Sequence, residues 1–88
     1  MTIGHVRITS KFKSAFRKLP REIQARAREK EVLFRKNSFD PRLDTHKLHG
    51  KYKDYWAFTV IGRYRVMFVF VSENSADFIN IGTHEIYK

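Results

Sequence analysis

The chain has 88 residues, 42% of them apolar and none of them cysteine, which suffices for one core but not two. Without cysteine, a disulfide framework, an iron–sulfur cluster and thiolate-bound zinc are excluded. Eighteen Lys and Arg against nine Asp and Glu give a net charge of +9, more than solubility requires, and point to nucleic acid or an acidic protein as partner.

The excess is uneven: residues 1–65 hold seventeen bases and six acids, residues 66–88 one base and three acids. The longest apolar run, Val66 to Val71, is too short to span a membrane. Residues 1–10 carry His5 and Arg7 and no apolar block, so no signal peptide is expected and a cytoplasmic protein is.

In chain order, residues 3–8 alternate with the period of a half-buried strand. Thr9 or Ser10 then offers an N-cap, and Phe12, Ala15, Phe16 and Leu19 make one apolar stripe. Pro20, lacking an amide proton, opens a second helix more easily than it extends the first. That helix is predicted from about Arg21 to Lys36, with Ile23, Ala27 and Phe34 inward, completing a helical hairpin. Residues 37–50 read as irregular. From Tyr55 to Ile61 the chain is aromatic and β-branched, and Gly62 marks a tight turn. Residues 64–71 are apolar on both faces after Arg65, which suits a central strand. A last strand follows over residues 76–81, then a polar tail over 83–88. The order β-α-α-β-β-β predicts one α+β domain over 1–88, its N-terminal strand and helical hairpin packed on a mostly antiparallel four-stranded sheet.

Histidine is the side chain that ordinarily titrates nearest neutrality, at about 6.5. His5 falls on the first strand and reads as structural or surface. His46 and His49 lie in the basic loop over residues 45–50, and His84 lies just past the last strand. His46-x-x-His49 has a metal-like spacing, but no third ligand stands at a recognisable distance, so neither metal nor cofactor is expected. Arg63 and Arg65 share one sheet face. Arg65 adjoins the apolar run, where a guanidinium needs Asp77, Glu85 or an anion in a wet cleft. Tyr55, Trp56, Tyr64 and Tyr87 suit either the core or base stacking.

Through Asp40-Pro41-Arg42-Leu43, Thr45-His46-Lys47-Leu48-His49-Gly50, Tyr64-Arg65-Val66-Met67-Phe68 and Ile81-Gly82-Thr83-His84-Glu85-Ile86-Tyr87, the whole chain resembles the RelE/ParE toxin superfamily. The RelE/StbE and YafQ-like branches are the most similar. Members are toxins of type II toxin–antitoxin pairs; many cut messenger RNA in the ribosomal decoding site, and the ParE branch poisons DNA gyrase. The resemblance implies a ribosome-dependent endoribonuclease, an mRNA interferase, working by metal-independent attack of the 2′-hydroxyl. It implies Arg65 on the scissile phosphate, His84 as proton donor, His46 as general base, and Tyr87 stacking on or orienting the substrate. Lys47, Lys51, Lys53 and Arg63 would hold neighbouring phosphates. The implied partners are a cognate antitoxin, the ribosome and mRNA. Where RelE places its lysine pair this chain has Trp56 and Phe58, and the extra His and Asp of YafQ-like toxins fall near Thr59 and Arg63. A ParE-like gyrase inhibitor acting by protein contact is an alternative of another class, and a non-catalytic RNA-binding module a third. The nuclease expectation requires the loop imidazole, the strand guanidinium and the tail imidazole to meet around one phosphodiester.

Overall fold

The computed structural model describes residues 1–87; Lys88, the end of the expected tail, lies outside them. Strand β1 (His5–Ile8) is followed by Thr9, whose side chain accepts a hydrogen bond from the Phe12 amide and caps helix α1 (Ser10–Arg17). The Thr9 hydroxyl also donates to the Phe78 carbonyl at 2.9 Å, which ties this cap to the sheet. Helix α2 (Arg21–Lys36) begins directly after Pro20 and covers the predicted span. Gln24 closes the hairpin by donating to the Phe16 carbonyl, at the end of α1, and to the Leu19 carbonyl of the connection.

The sheet has five strands, not the four expected, in the order β1-β5-β4-β3-β2. The additional edge strand is β2, the two residues His46–Lys47, paired antiparallel with β3 (Trp56–Ile61). Residues 37–50 are therefore not wholly irregular. A pair of residues carries no readable alternation, so only its partner strand defines it. Strand β4 (Tyr64–Ser72) is central, and β5 (Ser75–Gly82) pairs antiparallel with it and parallel with β1. Short 3₁₀ turns occupy Pro41–Leu43, Gly50–Tyr52 and His84–Tyr87.

Both helices lie on one face. Phe34 of α2 is fully buried, with its ring 5.0, 4.9 and 5.4 Å from those of Phe58, Phe68 and Phe78. Aromatic pairs at such distances contribute about 0.5–1.5 kcal/mol each beyond the area they bury. A shift of register between Met67 and Phe68 inserts a bulge at Ile79 of β5. Because of it, Phe78 and Ile81 both join the helix-side core, although strict alternation would send them to opposite faces. The bulge leaves Asn80 buried, and its side-chain oxygen accepts from the Ile81 amide at 2.9 Å. On the face away from the helices, Ala57 and Met67 are also buried, and the C-terminal turn packs against β4 and β5. Among the described residues, no helix is long and apolar enough to cross a membrane.

Candidate active site

The pleat and register fix which side chains meet on the face opposite the helices. His46 stands opposite Ala57, which stands opposite Met67; Arg65 stands opposite Thr59 on one side and Gly82 on the other. Opposed residues of an antiparallel pair project to the same side, so His46 and Arg65 emerge from one face. Gly82 then leads into the 3₁₀ turn that carries His84 and Tyr87. The outcome is an open cleft of about 330 Å³ lined by His46, Arg63, Arg65, His84 and Tyr87. The loop imidazole, the strand guanidinium and the tail imidazole are thus neighbours around one cavity, and no carboxylate lines it.

Arg65 is held by its own hairpin. One terminal nitrogen donates to the Gly62 carbonyl at 2.7 Å and to the Tyr64 carbonyl at 3.2 Å. Gly62 takes φ +57° at this turn, a conformation that other residues rarely adopt. Of the carboxylates considered as its partner, Asp77 is instead paired with Arg7, and Glu85 makes no ion pair among the described residues. A half-buried guanidinium without a carboxylate partner, in a cleft that no carboxylate lines, has the geometry and charge to accept an anion.

His46 is oriented from behind. Its Nδ1 lies 2.8 Å from the Asp44 carbonyl oxygen. A carbonyl only accepts, so Nδ1 carries the proton and, in the neutral ring, the Nε2 lone pair is free. Asp44 presents that carbonyl from a left-handed conformation, φ 49°, just after the turn Pro41–Leu43. Tyr87 is half-buried, and burial raises its phenol above the usual tyrosine range, with the Arg65 charge pulling the other way. The ring therefore stays a neutral hydrogen-bond donor near pH 7.

The remaining expected residues are placed differently. Lys47 alternates with His46 and stands opposite Trp56, on the helix side of the sheet. Lys51 and Lys53 are exposed on the loop between β2 and β3, outside the cleft lining. Arg63, read as a phosphate contact, lies in the cleft itself. His5 and His49 are exposed and do not line it. Among the described residues, no group of three or more His, Asp or Glu side chains converges as a metal site requires. Sequence reasoning passed over Tyr52, whose ring packs 6.2 Å from that of Tyr87; its alternation with Lys51 and Lys53 was the available signal.

No family model matches this chain, nor does any curated protein. Solved structures do: the chain has the fold seen in toxins of the RelE/ParE superfamily. A variant of YafQ from E. coli superposes with a TM-score of 0.76 at 13% identity, covering 93% of this chain and 94% of that one. A YoeB/ParE toxin from Agrobacterium tumefaciens gives 0.75 at 12% identity over 96% and 99%. The archaeal RelE–RelB complex from Pyrococcus horikoshii gives 0.68 at 21% identity over 94% and 96%.

Proposed function

We propose that this protein is the toxin of a type II toxin–antitoxin pair and a ribosome-dependent endoribonuclease that cuts mRNA without metal. The reading is carried by one observation, the convergence of His46, Arg65, His84 and Tyr87 on a single cleft free of carboxylates. The fold shared with YafQ, YoeB/ParE and RelE toxins supports the toxin class, and the structures of such toxins with RelB and DinJ partners support an antitoxin for this chain.

In the proposed reaction, Nε2 of His46 takes the proton from the ribose 2′-hydroxyl as its oxygen bonds to the adjacent phosphorus. The bond from phosphorus to the 5′-oxygen breaks, and protonated His84 gives that oxygen its proton. The products are a 2′,3′-cyclic phosphate and a 5′-hydroxyl end. Each proton transfer contributes typically 10²–10⁴-fold. Arg65 balances the charge gathering on the phosphorane oxygens and stays charged at any working pH. Tyr87 orients the substrate from the cleft wall, Arg63 binds a flanking phosphate, and Lys51 and Lys53, on the loop between β2 and β3, bind phosphates outside the cleft. Lys47, on the other side of the sheet, is assigned to the ribosome rather than to the message.

The test is a purified translation system with RNA end mapping. Arg65→Ala and His84→Ala are each expected to lower cleavage by at least a hundredfold, with unchanged circular dichroism. Wild-type cutting by both variants overturns the assignment. Gyrase-mediated DNA breaks that persist in a His46→Ala, His84→Ala double variant would establish the ParE-like alternative instead, and RNA bound but never cut a plain binding module.

A further inference from the structure

Next to the cleft, the loop between β2 and β3 folds back on itself. The Leu48 amide donates to the Tyr55 carbonyl and the Tyr55 amide to the Tyr52 carbonyl, both at 2.9 Å. Gly50, at φ +66°, admits the chain to the 3₁₀ turn that ends at Tyr52. This places the Tyr52 ring between two others, 6.1 Å from Tyr55 and 6.2 Å from Tyr87, tilted 57° and 58° to them. Lys51 holds its ammonium over the Tyr52 ring, 5.1 Å from the centroid.

These three rings are half-buried and stand outside the hydrophobic core, although large aromatic surfaces are normally spent on packing. Tyr87 already lines the cationic cleft, so Tyr52 extends that wall outward by one ring. Lys51 is exposed and lies over one face of the Tyr52 ring, so that face is on the solvent side and a base stacking there takes the place of the flexible ammonium. Nucleic-acid strands are held by this combination of a ring for the base and an adjacent cation for the backbone.

We propose that Tyr52, backed by Tyr55, is a stacking platform for the base of a nucleotide adjoining the scissile phosphate, and that Lys51 pairs with that nucleotide's backbone phosphate. The platform rests on the nuclease reading above. Because every base has a π-face, it positions the strand without demanding one sequence.

The experiment uses ribosomes programmed with messages that carry an abasic nucleotide on one side or the other of the mapped cut. For the wild type, an abasic residue at the platform position is expected to lower kcat/KM roughly tenfold to a hundredfold. Tyr52→Leu, which keeps apolar bulk against Tyr55 and Tyr87, is expected to show that loss on the intact message and no further loss on the abasic one. Tyr52→Phe, which keeps the ring, is expected to retain the abasic penalty that Tyr52→Leu loses. If the full abasic penalty persists in Tyr52→Leu, or if neither abasic position affects the wild type, the platform is overturned while the nuclease stands. If the wild-type protein leaves every message intact, both fall.

Discussion

Arg65 and Tyr87 are chemically coupled, and the coupling is measurable without any substrate. Burial raises the Tyr87 phenol, while the Arg65 guanidinium favours phenolate and pulls it down. Removing that positive charge leaves burial unopposed, so Arg65→Ala is expected to move the phenol further up. In an alkaline absorbance titration, the step that is lost in Tyr87→Phe belongs to Tyr87, and that step is expected to shift upward in Arg65→Ala. A downward shift in Arg65→Ala would mean that the two groups do not face each other. A phenol raised in this way is protonated near pH 7 and can donate a hydrogen bond. Arg65 was legible in the sequence because a charge adjoining an apolar run demands an explanation. The orientation of His46 was not, since it depends on the Asp44 carbonyl and a left-handed backbone that no spacing announces.

At the scale of elements, the C-terminal turn His84–Tyr87 is the part on which the geometry depends. It is short and is held mainly by Ile86, which is buried, and by its contacts with β4 and β5. Gly82 sits beneath it: a Cβ there would come within 2.9 Å of Ile86 Cγ2, an atom on a stiff, buried side chain. Gly82→Ala is therefore expected to lift the turn and misplace His84 and Tyr87 together. Overpacking of this kind costs about 1–3 kcal/mol of stability. The loss of cleavage should be on the order of a hundredfold, because a displacement near 1 Å is enough to spoil an aligned proton transfer. Thermal unfolding and cleavage measured on one preparation check this; a stability loss with unchanged cleavage would show that the turn does not position the chemistry. The second helix was legible at about Arg21 to Lys36, where a proline, an apolar stripe and the following Asn37 agree. Strand β2 was not, because two residues carry no periodicity of their own.

For the molecule as a whole, the sheet separates two duties. Its helix side holds the phenylalanine core, and its other side holds the cationic cleft and the tyrosine wall. Binding of a short single-stranded RNA is expected to weaken linearly on a plot of log affinity against log salt. Replacing Arg63, which lines the cleft, by Ala should reduce that slope by about 0.7, the share of one phosphate contact on a single strand. Replacing Arg7, which is already paired with Asp77, should leave the slope unchanged. Equal effects of the two changes would mean that RNA answers to net charge alone and not to the cleft.

The sequence alone determined whatever is written in neighbouring residues: the helical hairpin, the central apolar strand, the basic excess and the chemical types able to move protons and hold a phosphate. Helical and strand periods and charge are local properties, so they survive being read in one dimension. The tertiary structure decided which of those groups meet. Pairing across β2, β3, β4 and β5 set His46 beside Arg65, the bulge at Ile79 set the facing of the last strand, and the loop at Gly50 brought Tyr52 against Tyr87. Such contacts join residues far apart in the chain, and their geometry comes from register and packing, which no single segment contains.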